Sequence, residues 1–285
     1  GHLYGDRLYV NRGDGTFGEE ASARGVAFNS VGYGGDTMGI DSGDIDGDGL
    51  LDLVESNLEG HPNEIFFGTG DGTFREGSLG AGMWASTSWL KWSVLFLDLD
   101  HDGDLDLLST AGHIYSADLQ RAVGFGGVVE QPVQLFRNDG GRYALEPDRT
   151  DDPLLVPQIG RGAALGDLDG DLDPDLVLVD IDGPLRILDN VEGTPQHALL
   201  VRLVGTVSNR DGIGAQVAVT CGGRRQVRQR TSGAGYLSSG DPRLHFGLGN
   251  CRSADLVEVR WPSGVSQSFG PVAAGQLVEI VEPIL

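Results

Sequence analysis

Apolar residues along the chain fall into short runs separated by turns rich in Gly, Asn and Asp. In the first two-thirds these are Leu8-Tyr9-Val10, Ile65-Phe66-Phe67, Val94-Leu95-Phe96-Leu97, Leu105 to Leu108, Leu135-Phe136 and Ile187-Leu188. Such runs, bounded by turn residues, predict strands rather than helices. The pattern also repeats. Asp6 to Phe17 returns as Asn63 to Phe74, with weaker copies at Val133 to Gly141 and Leu185 to Asn190, offset by 57, 70 and 52 residues. Each copy runs an apolar strand into an Asp-Gly or Asn-Asp turn, a hairpin signal.

A second series keeps step with the first. Asp44-Ile45-Asp46-Gly47-Asp48-Gly49-Leu50-Leu51-Asp52 is followed 54 residues on by Asp98-Leu99-Asp100-His101-Asp102-Gly103-Asp104-Leu105-Asp106, and after 69 more by Asp167-Leu168-Asp169-Gly170-Asp171-Leu172-Asp173-Pro174-Asp175. The unit is strand, acidic loop, strand, spacer, strand, turn, which is one propeller blade. The chain is therefore expected to open on the closing half of a blade and to hold about three and a half blades, where closed propellers have about 4–8. Lost N-terminal blades or a second chain would complete the ring, because exposed blade edges invite strand pairing.

From Ala198 the grammar changes. Leu199–Val204, Ala215–Val219, Gln226–Arg230, Leu244–Phe246, Leu256–Trp261 and Leu277–Val281 read as short strands between Gly-rich turns, an antiparallel β-sandwich-like domain. The expected division is a propeller over 1–197 and a sandwich over 198–285, the whole being all-β.

The acidic loops carry the chemistry. Counted from the first Asp, carboxylates stand at offsets 0, 2, 4 and 8, and Gly49 and Gly103 at offset 5 permit a sharp turn. Two like charges at about 4 Å repel by about 4 kcal/mol at an effective dielectric near 20, so the cluster calls for a cation. Oxygen-only ligands suit a hard ion, and Ca²⁺ fits best. The expected ligands are Asp44, Asp46, Asp48, the Leu50 carbonyl and Asp52; Asp98, Asp100, Asp102, the Asp104 carbonyl and Asp106; and Asp167, Asp169, Asp171, the Asp173 carbonyl and Asp175. Two to three ions are expected, because the third loop has Leu172 where the others have Gly. The alternative is solvated acidic turns without metal.

The formal charge of −22 is uneven: residues 1–197 hold 36 acidic and 11 basic side chains, residues 198–285 hold 6 and 9. Three divalent ions would offset only about 6 of these charges, so the loops do not account for all the acidity. This balance excludes a nucleic-acid partner for the first region. No apolar run is long enough for a membrane span. Gly1-His2 without Met is the start expected of a processed or recombinant fragment. Cys221 and Cys251 pair as a disulfide or remain two buried thiols; a bridge would favour a secreted or periplasmic home.

Four further features stand out. Arg12-Gly13-Asp14 spells an integrin-recognition tripeptide, but Thr69-Gly70-Asp71 occupies the same point of the next hairpin, so the match reads as accidental. Trp84, Trp89 and Trp92 either pack the blades or form a ligand-stacking surface. The insertion from Ala111 to Val129 brings His113 and Tyr115, the candidate catalytic pair outside the acidic loops. Arg224, Arg225, Arg228 and Arg230 form a basic strand, either an exposed edge or a surface that docks on the acidic propeller.

Pairing Asp-x-Asp-x-Asp-Gly-x-x-Asp with a Gly-Asp-Gly-Thr-Phe turn resembles the FG-GAP/VCBS repeat of integrin α-subunit propellers. The tail resembles the ASPIC/UnbV domain at Val207 to Ala215, Thr231 to Leu237, Leu244 to Gly249 and Val259 to Gly264. Together, and with Ala111 to Tyr115 and Gly160 to Ala164, they resemble the cartilage-acidic-protein family, which has bacterial members. The resemblance implies a partial integrin-α-like propeller and a calcium-binding, extracellular or periplasmic binding or adhesion module with a protein or glycan ligand. Some relatives are encoded beside natural-product genes. That association implies an alternative: a calcium-dependent, cytoplasmic biosynthetic enzyme of cyclase or alkylating type. It would act on a small molecule near 84–92 and 111–132, with His113 as acid or base. No nucleophile elbow, phosphate loop or dinucleotide fingerprint accompanies it.

Overall fold

The structure, a computed structural model, describes residues 5–124, 126–147, 151–192 and 197–284. β1 (Tyr9–Asn11) and β2 (Phe17–Glu19) form a hairpin, the half-blade. β3 (Ile40–Gly43), β4 (Asp52–Glu55), β5 (Glu64–Gly68) and β6 (Phe74–Glu76) form a four-stranded antiparallel meander. β7 (Lys91–Leu97), β8 (Asp106–Ala111), β9 (Gln134–Asp139) and β10 (Arg142–Leu145) form a second, and β11 (Gly160–Gly166), β12 (Asp175–Asp180) and β13 (Arg186–Leu188) a three-stranded third. The three and a half blades expected from the repeat are these sheets. A seven-residue helix, Ala117–Val123, lies within the long insertion and is capped by the Ser116 hydroxyl, a feature the strand grammar did not predict.

Strand periodicity explains how the blades stack. On β7, Val94 and Phe96 join Val54, Ile65, Leu107 and Phe136 in one core. Their neighbours Leu95 and Leu97 point the other way, into a core with Leu108, Leu135, Ala163 and Leu178. Both faces of the central blade are therefore buried, which is why its strands read as continuous apolar runs. Each buried Leu or Phe contributes about 1.5–3 kcal/mol. Repeated polar ties lock neighbours together: Ser56 Oγ donates to Trp92 O (2.6 Å), and Thr110 Oγ1 donates to Arg161 O (2.6 Å) one blade later. Likewise Asn138 Nδ2 donates to Ile45 O (2.9 Å) and Asn190 Nδ2 to Leu99 O (3.0 Å), each reaching back to the acidic loop of the preceding blade.

The tail comprises β14 (Ala198–Val204), β15 (Gln216–Cys221), β16 (Arg224–Gln229), β17 (Leu244–Gly247), β18 (Ser253–Ala254), β19 (Leu256–Arg260), β20 (Ser266–Phe269), β21 (Val272–Ala273) and β22 (Gln276–Val281). Its sheets run β17-β14-β22 and β16-β15-β19-β20, around a core with Leu199, Val201, Val217, Val219, Phe246 and Trp261. Pairing is antiparallel throughout except that β22 runs parallel to β14, from Leu199↔Gln276 to Val204↔Val281. Alternating apolar positions do not distinguish those two directions. Cys221 and Cys251 are joined in a disulfide.

The tail docks on the inner strands β3, β7 and β11, which lie side by side. Gly235 N donates to Ile40 O (2.8 Å), Tyr236 N to Ser93 Oγ (3.1 Å) and Asp241 N to Leu165 O (2.8 Å), so the segment from 231 to 243 touches all three blades. Trp92 packs edge-on to Tyr236 (5.0 Å) beneath the Arg161 guanidinium (3.8 Å). This is the packing role considered for Trp92, whereas Trp84 remains 63% exposed. The turn at Arg12-Gly13-Asp14 is held by Asp14 accepting from Thr16 N (2.9 Å), as Asp71 accepts from Thr73 N (2.9 Å) one blade on. The tripeptide is thus a turn of the repeat.

Two substitutions test this framework. Gly235 has φ of 67°, and a Cβ there would lie 2.1 Å from Ser93 Oγ. Gly235→Ala should cost at least about 1–2 kcal/mol from backbone strain alone, read as a lower melting temperature. Glu282 accepts from Thr206 N, Val207 N, Ser208 N and two hydroxyls. Burial opposes its ionisation, yet these donors, the Ser263 hydroxyl foremost, hold it down to about 2. Its contribution is present above an unfolded pKa of about 4.3 and lost as pH falls through about 2. Glu282→Gln should lower the melting temperature at pH 7 and narrow the gap to the parent as pH approaches 2.

Candidate metal centres at the propeller–tail seam

Each acidic loop joins the first two strands of a blade. In all three, the offset-4 N–H donates to the offset-2 carboxylate: Asp48 to Asp46 (3.3 Å), Asp102 to Asp100 (3.3 Å) and Asp171 to Asp169 (3.2 Å). The offset-6 N–H donates to the offset-4 carboxylate: Leu50 to Asp48, Asp104 to Asp102 and Asp173 to Asp171, at 2.8–2.9 Å. Both offsets 3 and 5 lie in the left-handed region: Gly47 and Gly49 (75° and 88°), His101 and Gly103 (60° and 92°), Gly170 and Leu172 (88° and 81°). Leu172 thus adopts the conformation that glycine adopts in the other loops, at about 1–2 kcal/mol of strain. The departure in sequence does not change the course of the backbone.

The carboxylates converge. Asp44, Asp46 and Asp48 each place an oxygen within 4.8 Å of the others, as do Asp98, Asp100 and Asp102. In the third loop Asp167, Asp169 and Asp175 form one such group, and Asp169, Asp171 and Asp189 a second. These clusters could hold metal ions. Asp189, next to the hairpin Asn190, is a member that the nine-residue motif did not reveal.

The offset-8 carboxylates are engaged elsewhere as well. Asp52 accepts from Gly68 N (2.8 Å), Asp106 from Asn138 N (2.9 Å) and Asp175 from Asn190 N (3.0 Å), so the first two clamp the loop to the third strand of the blade and the last to the turn just after it. Asp52 and Asp175 also accept from the offset-1 N–H, Ile45 (3.0 Å) and Leu168 (2.8 Å). Asp106 instead pairs with Arg137 (2.9 Å). Of the three, only Asp175 joins a carboxylate group of its loop among the described residues, in addition to this clamping role. The Asp104 side chain turns away to pair with Arg224, whose Nη1 donates to Asp102 O (2.7 Å).

The donor set fits a cation in the first two loops. Gly49 N and Gly103 N satisfy one oxygen of Asp44 (3.2 Å) and Asp98 (3.0 Å), while Asp44 Oδ1 and Asp98 Oδ1 are buried with no hydrogen-bond donor among the described residues. An orphaned buried carboxylate oxygen is costly unless a cation meets it. The third loop differs: Asp167 accepts from Gly170 N (2.7 Å) and approaches Arg243 (3.4 Å), and the orphaned oxygen is Asp173 Oδ2. Burial pushes Asp98 and Asp52 up to about 7, and Asp106 and Asp173 to about 6.

The tail completes this seam. Gly247 N donates to Asp98 Oδ2 (3.0 Å), and buried Arg228 reaches Gly103 O (3.5 Å), its charge acting on Asp98 and Asp44. Of the basic strand, Arg224 and Arg228 therefore dock on the propeller; Arg225 pairs with Glu258 (3.5 Å) within the tail, and Arg230 hydrogen-bonds the Thr231 carbonyl. His101 was not singled out in the sequence, although it replaces the glycine of the other loops. It is buried, with Nε2 3.2 Å from Asp173 Oδ1, and so links the second loop to the third. A cleft of about 180 Å³ opens beside the loops, lined by Asp41, Asp98, Asp167, Arg228, Arg230 and Arg243 among others. His113 and Tyr115 do not line it. His113 Nδ1 accepts from Tyr115 N (3.2 Å), their rings lie 5.0 Å apart, and burial, then Arg161, lowers the imidazole pKa.

Comparison with known proteins agrees with this architecture. The FG-GAP-like repeat profile matches residues 4–55 and 56–109, and that of ASPIC and UnbV matches 205–284. Human cartilage acidic protein 1 is 28% identical over 280 residues, 96% of this chain and 40% of its own length. Its Xenopus tropicalis counterpart is 30% identical over 264 residues, 90% and 38% respectively. The chain thus spans well under half of these relatives. A solved Agrocybe aegerita lectin that recognises non-reducing terminal N-acetylglucosamine aligns with TM-score 0.36 and 17% identity, over 66% of this chain and 47% of that one. By these matches the chain joins FG-GAP-like repeats to an ASPIC and UnbV domain and is homologous to cartilage acidic protein 1.

Proposed function

We propose that the chain is a calcium-stabilised extracellular or periplasmic binding module, with two to three ions in the acidic loops. The single observation that carries the reading is the pair of orphaned, buried oxygens, Asp44 Oδ1 and Asp98 Oδ1, inside loops whose offset-0, offset-2 and offset-4 carboxylates accept the same backbone hydrogen bonds. Asp44, Asp46 and Asp48 would hold one ion and Asp98, Asp100 and Asp102 another, joined by the Leu50 and Asp104 carbonyls and closed by Asp52 and Asp106. Asp167, Asp169, Asp171, the Asp173 carbonyl and Asp175 would hold a third. Calcium supplies positive charge and oxygen coordination there. The chain's own groups do the rest: loop hydrogen bonds fix the carboxylates, and Arg224 and Arg228 offset the surplus negative charge from the tail side.

This assigns the metal a structural role, because each loop is tied into its own blade and the tail packs over the seam. Residues 1–197 and 198–285 then act as propeller and docked lid, a division supported by sheets that each draw their strands from one part, with the isolated bridge Ile40↔Gly235 between them. The disulfide is consistent with an extracellular location, and among the described residues no helix is long and apolar enough to cross a membrane. A protein or glycan partner would meet the blade end away from the acidic loops, where Trp84 and Ile114 are exposed. The enzyme alternative gains no support from the placement of His113 and Tyr115 outside the cleft.

Titration calorimetry with calcium is the direct test. Asp46 is exposed, and among the described residues its side chain accepts only from Asp48 N, which Asn can also do. Asp46→Asn should remove one binding event and lower the melting temperature in calcium, with little change in chelator; equal melting of variant and parent in both conditions would sink the reading. The raised carboxyls give a second test. In metal-free protein Asp98 and Asp52, at about 7, hold protons when folded that they release on unfolding. Their contribution is full below about pH 4 and lost as pH rises through about 7. Metal-free protein should therefore melt higher at pH 5.5 than at pH 8, and saturating calcium should abolish or reverse that trend.

A further inference from the structure

A second acidic cluster lies outside the repeat loops. β4 runs away from the first acidic loop, so Glu55 at its far end and Glu64 at the start of β5 stand at the opposite end of the blade. Asp6, from the segment leading into the half-blade, joins them, and the three carboxylates each place an oxygen within 4.8 Å of the others. That span is what one ion allows: ligands at about 2.4 Å from Ca²⁺ cannot stand more than about 4.8 Å apart. None of the three forms an ion pair with Arg, Lys or His among the described residues.

The protein's own repeat shows how unusual this is. Glu55 and Glu64 are directly opposite on antiparallel strands. The equivalent cross-strand pair is Ser109 and Gln134 in the next blade and Leu178 and Arg186 in the third. Like charges directly opposite on a ladder are destabilising, more so when buried, and here Glu55 is 6% and Glu64 0% exposed. Glu64 Oε1 accepts from Asn29 Nδ2 (2.8 Å), but Glu64 Oε2 is buried with no hydrogen-bond donor among the described residues.

The surroundings are those of a hard-cation site. Thr37 Oγ1 contacts both Asp6 (3.1 Å) and Glu55 (3.0 Å), and Gly35 N donates to the other oxygen of Asp6 (3.2 Å). Asn57 Oδ1 fixes Asp36 N (2.8 Å), and the Tyr33 ring stacks on His61 at 4.4 Å, so the loop over the cluster is itself pinned to the blade. With carboxylate and hydroxyl oxygens only, the set excludes soft metals and matches Ca²⁺.

We propose that Asp6, Glu55 and Glu64 bind a calcium ion that staples the lead-in of the half-blade to the next blade, at the opposite end from the repeat loops. The acidity left over after the repeat loops have been counted is partly explained by this site.

The test is anomalous diffraction from crystals of the chain in which calcium is replaced by terbium. A peak between Asp6, Glu55 and Glu64 supports the site whether or not the repeat loops are filled; occupied repeat loops with no peak here overturn it. Empty repeat loops with a peak here would uphold this site while removing the reading of the loops. In solution, the double variant Glu55→Gln with Glu64→Gln removes the repulsion and replaces two anionic ligands with neutral amide oxygens, which bind Ca²⁺ far more weakly. It should melt above the parent in chelator, bind one ion fewer per chain, and gain less from calcium. An unchanged calcium-induced rise in melting temperature would overturn the proposal.

Discussion

Repulsion between carboxylates that the fold itself brings together is the constraint on which this structure turns. Asp44, Asp46 and Asp48, and again Asp98, Asp100 and Asp102, are gathered by backbone hydrogen bonds and paired left-handed residues, and burial penalises the charge of Asp44, Asp98 and Asp102. Hydrogen bonds from the backbone satisfy some of the oxygens but not Asp44 Oδ1 or Asp98 Oδ1. What remains must be balanced by a positive charge, and two sources are in reach: a cation in the loop and the arginines of the tail.

This links the acidic loops to the basic strand, which the sequence leaves as either an exposed edge or a surface docked on the acidic propeller. β16 is an edge strand of its sheet, and an edge lined with Arg is a common way of discouraging aggregation. Here the same edge faces the loops: Arg224 pairs with Asp104, while Arg228 is buried against Phe246 within the field of Asp98 and Asp44. Pairing of this sort adds specificity of docking more surely than it adds stability, because desolvation of a buried charge offsets much of the attraction. The apolar and backbone contacts of Gly235, Tyr236 and Trp92 hold the tail in place.

Much of the fold was legible in the chain. The period of the apolar runs gave blades with their acidic loops at one end, and the change of grammar at Ala198 coincides with the first residue of β14. The legible features are those in which each local unit repeats one solution, so that a strand pattern and its turn chemistry are read several times over. The short helix at Ala117–Val123 and the parallel alignment of β22 with β14 were not legible, since each depends on where a segment returns in space. Loop substitutions were only half legible. Leu172 and His101 depart from the glycine pattern, yet both keep left-handed backbones because the surrounding hydrogen bonds leave no other course.

By itself, the sequence determined that this protein would be built from β-strands in register with acidic loops, because alternation, turn residues and oxygen ligands are local properties carried by adjacent positions. Only the tertiary structure decided which of the carboxylates share a site, that Asp189 lies beside the third loop, and that the tail's arginines meet the loops across the seam. It also decided that Asp6, Glu55 and Glu64 stand together although no motif joins them. The reason is that such meetings are set by strand register and by the packing of one blade on the next, which bring distant positions within a few ångströms without leaving a spacing in the chain to be read.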